Sequence, residues 1–327
     1  MTHALHRLLT LFLLAGCQFA GAEPALDAPP SPAPPPAHAA PSPDAMRQVL
    51  QAAPPRGLLY QISKHGKTAY LFGTLHVGKP GFFPLDMTTT QALARSSELA
   101  VELDATQTDA MLAALQRYAV LPKPQTLEAL LPPALGKRLR TQLDVLGIPW
   151  APIQNRKPWM AALSLTMGAY QQSGYGVEYA SDLYLTALAR GLDKPITELE
   201  GIDYQFQLFD SLPPGDQLVF LEETLRYLEQ GNMPADIQSI VEAWLGGDAE
   251  ALHRLMRKSL RDSPQTGRWM KQKLFTERNL RMAKTIDHKL ASGHTPFVAV
   301  GTLHLVGKDG LPALFKKGGY RVVDLYP

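Results

Sequence analysis

Short apolar runs with the pattern of buried strands lie near both ends of this chain, and a long stretch of helical periodicity separates them. The first run turns at His65–Gly66, which predicts a hairpin, and short strands are predicted over 99–104 and 194–201. The last runs are TPFVAVG, which ends at Gly301, and GYRVVDLY near the carboxyl terminus. This distribution predicts an α/β fold in which a central mixed β-sheet is built from N- and C-terminal strands and carries a large helical insert or cap.

Apolar residues at helical spacing predict the helices of this insert. Asp86 is the expected N-cap of a first helix, and the longest predicted helix covers 266–291. A short helix is predicted near 311–317, just before the last strand. The other helices are predicted around 107–119, 133–146, 158–172, 177–190, 215–230, 234–246 and 248–261.

Composition excludes several classes of protein. The chain has 327 residues, with 32 Lys and Arg against 30 Asp and Glu, and it contains no long basic run. Nucleic acid is therefore not expected as a partner. A single cysteine, Cys17, excludes both a disulfide framework and a cysteine zinc site.

The amino-terminal residues have the pattern of an export signal. Residues 1–22 combine Arg7 with an apolar stretch too short to span a bilayer and a run of small residues. Residues 14–17, Leu-Ala-Gly-Cys, resemble the lipobox of bacterial lipoproteins, in which the cysteine becomes the lipidated N-terminus. Ordinary cleavage after Ala22 is the alternative. We expect an exported, periplasmic protein, anchored to the outer membrane through lipid on Cys17, or otherwise soluble in the periplasm or secreted.

A spacer follows the signal. Residues 23–55 are rich in proline and alanine, and proline removes backbone donors and fixes φ, so this range is predicted to be a disordered linker. The folded domain is predicted over 56–327. The linker would hold that domain away from a membrane.

The tetrapeptide Gly-Thr-Leu-His occurs twice, at 73–76 and at 301–304. Both copies follow a strand-like run, and both are followed within a few residues by Gly-Lys. Ligands of open α/β sheets bind beyond the carboxyl ends of strands, which is where both histidines fall. The first copy also begins the spacing of a P-loop, but the residue after Lys79 is Pro80, which has no hydroxyl for magnesium, so nucleotide binding is not expected.

His76, His304 and Glu102 together suggest a metal site. Imidazole and carboxylate are good ligands for manganese, cobalt, zinc or iron, and three protein ligands leave a position for an activated water. The alternative is that the histidines form local hydrogen bonds at the strand ends. Glu102 is predicted within an apolar strand, where a buried carboxylate needs a metal or an arginine partner. Asp104 is the expected cap of the next helix.

These segments resemble the TraB/GumN family, which is similar to the Tiki metalloproteases and more distantly to the ChaN and erythromycin-esterase-like folds. The resemblance extends over 57–327 and includes LFGTLH, LAVELD, TELEG, ERN and VAVGTLHLVGKDG. Its signature is a paired G-x-x-H motif. Here the second copy has Thr302-Leu303 between Gly and His, where family members often have other residues, which changes the packing between them.

The resemblance implies a metal-dependent hydrolase that acts on a peptide or protein. It assigns the divalent metal to His76, Glu102 and His304. It places the ERN segment, Glu277 to Asn279, on a long helix from which Arg278 or Asn279 would face the cleft and steady an oxyanion. Glu200 is a candidate general base, or an acid that hydrogen-bonds to the metal ligands. Its alternative role is to cap the helix that follows it. Asp182 is a weaker candidate for the same roles.

Two non-catalytic functions remain open at this point. The first is a haem- or iron-binding lipoprotein, because histidine can serve as an axial haem ligand. The second is an accessory protein of polysaccharide export with a decayed site. In both, the histidine pair would not support hydrolysis.

Overall fold

A computed structural model describes residues 43–261, 263 and 265–326 of the chain. The predicted α/β class is confirmed. Six strands form one mixed sheet in the order β4-β3-β5-β2-β1-β6. Their bounds are β1 Leu59–Lys64, β2 Lys67–Thr74, β3 Glu98–Val101, β4 Ile196–Glu198, β5 Pro296–Gly301 and β6 Arg321–Asp324.

Strands β1 and β2 form the predicted hairpin. They pair antiparallel, and the two residues between them, His65 and Gly66, have φ values of 51° and 76°. Positive φ at both central positions is the requirement of the tight turn that matches strand twist. Strand β6 adds antiparallel to β1, with Tyr60 opposite Asp324, so the carboxyl terminus completes this edge of the sheet.

The other pairs of the sheet are parallel, and they position the site. Strand β5 lies between β2 and β3, with Gly73 opposite Val300 and Val101 opposite Ala299. Strand β4 pairs parallel with β3 at the outer edge. Because parallel strands end at the same edge, the residues after β2, β3 and β5 emerge side by side.

Helices connect these strands and cover the sheet. Five of them lie between β3 and β4, and six lie between β4 and β5. Helix α6 is buried on nearly all its faces, as expected of a helix enclosed by other helices. The bounds are α1 Pro43–Ala52, α2 Met87–Arg95, α3 Thr108–Tyr118, α4 Leu127–Leu130, α5 Pro133–Val145, α6 Pro158–Gln172, α7 Ser181–Gly191, α8 Ile202–Asp210, α9 Pro214–Glu229, α10 Met233–Leu245, α11 Ala249–Arg261, α12 Thr266–Trp269, α13 Arg278–Ala291 and α14 Leu311–Lys317.

The predicted long helix over 266–291 is continuous but not uniform. Its middle, Met270–Glu277, is π-helical, and regular α-helix resumes at Arg278. A π-helical stretch adds residues to the turn and changes which side chains face inward, and such stretches are frequent at functional sites. Here the change occurs directly before the ERN-segment residues Arg278 and Asn279, both of which are buried.

Several local predictions differ from the structure. Asp104 does not cap α3: the N-cap of that helix is Gln107, and Asp104 accepts hydrogen bonds from Thr106 instead. The predicted helix from 177 is divided in two: a 3₁₀ turn covers Val177–Tyr179, Ala180 is extended, and the α-helix starts at Ser181. Helices α1 and α4 were not predicted, because α1 lies in the range assigned to the linker and α4 has only four residues. The helix expected after Glu200 is α8, and its N-cap is Gly201 and not Glu200.

The predicted export signal, the lipidation site at Cys17 and most of the predicted linker lie outside the described residues. Helix α1 occupies the part of the linker range from 43 to 52 and lies beside α2. None of the described helices combines the length and the apolar character needed to cross a bilayer.

Candidate active site

The two Gly-Thr-Leu-His copies meet at one edge of the sheet. The first copy leaves β2 and the second leaves β5, two strands that are neighbours in parallel register. A side-chain carbon placed on Gly73 would lie 2.6 Å from the Thr302 hydroxyl, well inside contact distance. The glycine of the first copy is therefore needed because the second copy packs directly against it.

His304 is completely buried and held in one tautomer. Its Nδ1 lies 2.5 Å from Oδ1 of Asn279, and the amide nitrogen of Asn279 donates to the Asp309 carbonyl at 2.7 Å. Because that carbonyl can only accept, the amide oxygen must face the imidazole, and Nδ1 carries the proton. The basic nitrogen of His304 is therefore Nε2, the form in which an imidazole ligates metals.

His76 is held in a similar way by the start of α7. Its Nδ1 lies 3.0 Å from Oδ2 of Asp182, which fixes the same tautomer. The backbone of Leu75 exchanges hydrogen bonds with Ser181, so α7 is tied to the segment that carries His76. Asp182, the weaker of the predicted acids, therefore has a defined position against His76.

Glu102 follows β3 directly and does not lie within it, since the strand ends at Val101. Its Oε1 accepts the Gly301 N–H at 2.6 Å, and its Oε2 accepts from Arg278 at 2.5 Å and from Gln205 at 3.1 Å. The arginine partner expected for a buried carboxylate is therefore present.

Arg278 lies between two carboxylates. Its Nε is 3.0 and 2.9 Å from the two oxygens of Glu200, and its Nη2 reaches Glu200 at 2.6 Å and Glu102 at 2.5 Å. Only 1% of the Arg278 side chain is exposed. The planar guanidinium thereby joins the segments that follow β3 and β4 to the helix α13.

Comparison with known proteins places the chain in a family. Residues 58–324 match the model of the TraB/PrgY/gumN family. The chain belongs to this family. No solved structure matches the chain.

Two kinds of relative are similar to this family member over most of its length. The uncharacterized protein YbaP of Escherichia coli is 26% identical over 251 residues, which is 76% of this chain and 87% of the relative. The zebrafish metalloprotease TIKI1 is 24% identical over 306 residues, which is 79% of this chain and 61% of the relative. A metalloprotease TIKI homolog of the sponge Amphimedon queenslandica is 26% identical and is covered over 58% of its length.

The charges of the site are set by burial and by the shared arginine. Burial alone would raise the pKa of Glu102, but Arg278 together with His304, His76 and the Gly301 N–H outweighs burial, and this pKa falls to about 2. Burial raises the pKa of Glu200 above its ordinary range even though Arg278 opposes the change. Burial would lower the pKa of Arg278, yet the two carboxylates raise it. Glu102 is therefore the more acidic of the two carboxylates.

His304 is neutral in this environment. Its burial, reinforced by the nearby Arg278 charge, lowers the pKa of the imidazole to about 3. A neutral imidazole is the form required of a metal ligand. His76 is close enough to influence the pKa of both His304 and Glu102.

The predicted metal ligands meet at this edge without forming a closed set. In the described part of the chain, no group of three or more His, Cys, Asp or Glu side chains is arranged to hold a metal ion. Nε2 of His304 lies 3.7 Å from Oε1 of Glu102. Two ligands of one tetrahedral zinc are roughly 3.4 Å apart, so this pair has a compatible spacing. The donor chemistry fits a divalent cation, and the complete set of His76, Glu102 and His304 stays a prediction.

Gln205 was not anticipated as part of the site. Its amide donates to Glu102 at 3.1 Å and to Glu200 at 3.2 Å, so it bridges the two carboxylates alongside Arg278. It lies one turn after Gly201, the N-cap of α8. A polar residue on the buried face of that helix would have been the signal.

Proposed function

We propose that this family member is a metal-dependent hydrolase that cleaves peptide bonds. The observation that carries the proposal is the pair of histidines at adjacent strand ends, each with Nδ1 engaged by a dedicated side chain, Asp182 for one and Asn279 for the other. Such outer partners orient imidazole ligands in metal enzymes. The similarity to proteins described as TIKI metalloproteases supports the same chemistry.

The roles of the residues follow from their contacts. His76 and His304 would hold the divalent metal through Nε2, with Glu102 beside it. A metal held there would supply an activated water and polarise the carbonyl of the substrate. Arg278 keeps Glu102 ionised and fixed in place. Glu200, bound through both oxygens to Arg278, acts in this proposal as a positioning residue and not as the general base.

Metal content tests the first part of the proposal. Purified chain is expected to hold about one divalent metal ion, measured by elemental analysis after dialysis. His76→Ala and His304→Ala are expected to lose it, whereas His288→Ala, at an exposed histidine of α13, is the matched control. Unchanged metal content in both site variants would rule out the proposal.

Hydrolysis tests the second part. A fluorogenic peptide library is expected to be cleaved by the metal-loaded chain, with activity lost on chelation and restored by manganese, cobalt, zinc or ferrous iron. The alternatives make different predictions: a haem-binding protein gives a Soret shift with micromolar haemin and no cleavage. An export accessory protein with a decayed site tolerates a His76→Ala, His304→Ala double substitution in cells.

We also propose that the protein acts in the cell envelope. The support is the pattern of residues 1–22, with Cys17 in a lipobox-like setting. Fractionation of cells is expected to recover the protein with the outer membrane. Cys17→Ser should release it from the membrane fraction. Wild-type protein in the soluble fraction, with Cys17→Ser distributed in the same way, would favour ordinary signal cleavage.

A further inference from the structure

A cleft of about 530 Å³ lies next to the candidate site, between α11, the π-helical segment and the loop that follows the second Gly-Thr-Leu-His. It reaches the site at Asn279, which lines the cleft and also contacts His304. Phe275 connects the two in the same way, since its ring packs 5.8 Å from the His304 imidazole. A molecule bound in the cleft would therefore lie one side chain away from His304.

The cleft combines an apolar interior with a cationic rim. Apolar side chains of its lining include Met256, Leu260, Phe275, Leu303 and Val306. Arginine and lysine are concentrated around them, in a chain whose formal net charge is only +2. The rim cations are Arg257, Arg261, Arg268, Lys271 and Lys308, all of them exposed.

These five cations are available to a ligand. None of them forms an ion pair with another residue of the described ranges, 43–261, 263 and 265–326. Asp309 is the one described acid among the lining residues, so a single carboxylate faces the five cations. Elsewhere on this surface, basic residues such as Arg226 and Lys273 pair with a glutamate one helical turn away. The rim therefore carries a net positive charge.

We infer that this cleft binds an acidic peptide segment. Arginine forks bind carboxylates through paired hydrogen bonds, and Arg257, Arg261 and Arg268 supply three such forks in the lining of the cleft. The apolar interior formed by residues such as Met256 and Leu260 suits the apolar side chains of a peptide. An acidic polysaccharide would satisfy the rim but would leave that interior without a partner. Binding of this segment does not depend on the proposed function. Only the statement that the segment is part of the substrate rests on it.

Binding is measured without turnover, on the metal-free full chain, by fluorescence anisotropy. The probe is a labelled ten-residue peptide of alternating Glu and Leu, and its control is the same peptide with Gln in place of Glu. We expect the acidic peptide to bind at least about tenfold more tightly at low salt, and the difference to shrink as salt is raised.

Charge reversal locates the binding surface. The double variant Arg257→Glu, Lys271→Glu should weaken binding of the acidic peptide by about tenfold or more. The control is Arg95→Glu, Lys284→Glu, which changes net charge equally at two exposed cations outside the cleft and should leave binding within about twofold. Thermal unfolding verifies that both variants fold.

The outcomes separate this inference from the proposed function. If the acidic peptide binds through the cleft but the purified chain holds no metal and cleaves no peptide, the inference stands and the proposed function is wrong. Equal binding of the acidic and neutral peptides, or an equal loss in both double variants, overturns the inference. Tighter binding of a uronic-acid oligosaccharide than of the acidic peptide overturns it as well.

Discussion

Arg278 is the residue on which the charges of the site depend. It is buried, it is the partner of two buried carboxylates, and it arrives from a helix that follows them in the chain by at least 78 residues. Removing one partner of a buried ion pair leaves the other charge unpaired in the protein interior, where the dielectric constant is low. The free-energy cost of that unpaired charge is far larger than the net contribution of the intact pair to stability. Glu102 and Glu200 would be those stranded partners.

Arg278→Met is therefore expected to lower the free energy of unfolding by about 3–5 kcal/mol, measured by urea denaturation. Arg278→Lys should fall between Met and wild type, because an ammonium keeps the charge but loses the fork. The control is Arg281→Met at the exposed Arg281, one turn further along α13 and stacked over Tyr204, with an expected cost of about 1 kcal/mol or less. Equal costs for Arg278→Met and Arg281→Met would contradict the role of Arg278.

At the scale of elements, the packing of β2 against the second Gly-Thr-Leu-His decides the geometry of the edge. Gly73 lies against Thr302, and the Gly73 carbonyl accepts the Trp244 indole N–H at 2.8 Å from α10. Helix α10 also covers His76 with Ile237, Ile240 and Val241. A shift of the β2 end would therefore move both histidine segments and the helix above them.

Gly73→Ala tests this packing. The added methyl group would overlap Thr302, and overpacking of a buried contact costs about 1–3 kcal/mol. Gly81→Ala is the matched control, because no atom lies within 4 Å of the position that its added carbon would occupy. The measurement is the urea midpoint of each variant, and similar midpoints would show that the edge accommodates the methyl group.

The stability of the sheet at the β1–β6 edge is expected to depend on pH. Burial, with a smaller contribution from Asp324 across the β1–β6 pair, raises the pKa of Tyr60 to about 12. The folded pKa lies above the unfolded one, so the stabilising contribution of the neutral phenol is complete below about pH 10 and is lost as pH rises through about 12.

Between pH 10 and 12, wild type is therefore expected to lose about 1 kcal/mol more free energy of unfolding than Tyr60→Phe, after allowance for the partial exposure of the ring. Urea denaturation at a series of pH values measures the difference. Tyr179→Phe, at an exposed tyrosine, serves as the control. Parallel pH profiles for wild type and Tyr60→Phe would show that the phenol at this edge does not contribute.

For the molecule as a whole, the proposed metal joins segments that are far apart in sequence. His76 and His304 lie on either side of the helical insert, so an ion held by both would oppose unfolding of the entire sheet. A ligand that binds only the folded state stabilises it by about 2.7 kcal/mol at one hundred times its Kd.

Metal-loaded chain is accordingly expected to unfold at a higher temperature than chelated chain, by an amount that grows with metal concentration. Scanning calorimetry measures the shift. His304→Ala should show no metal-dependent shift, while His288→Ala should behave as wild type. A concentration-dependent shift that persists in His304→Ala would place the metal elsewhere.

Sequence periodicity determined most of the elements, because turns, caps and apolar spacing act over a few residues. The hairpin at His65–Gly66, the Asp86 cap and the helix over 158–172 depend only on neighbours in the chain. The repeated motif also indicated that His76 and His304 would lie at strand ends, and parallel pairing of β2 with β5 brings those ends together.

Only the tertiary structure shows which side chains form hydrogen bonds with His76, His304 and Glu102. Asp182 reaches His76 across 106 residues of sequence, and Arg278 reaches Glu102 across 176. Such partners depend on the order of strands in the sheet and on where a π-helical stretch turns the face of α13. Local patterns carry no information about either, since both are consequences of packing between segments that meet only in the folded chain.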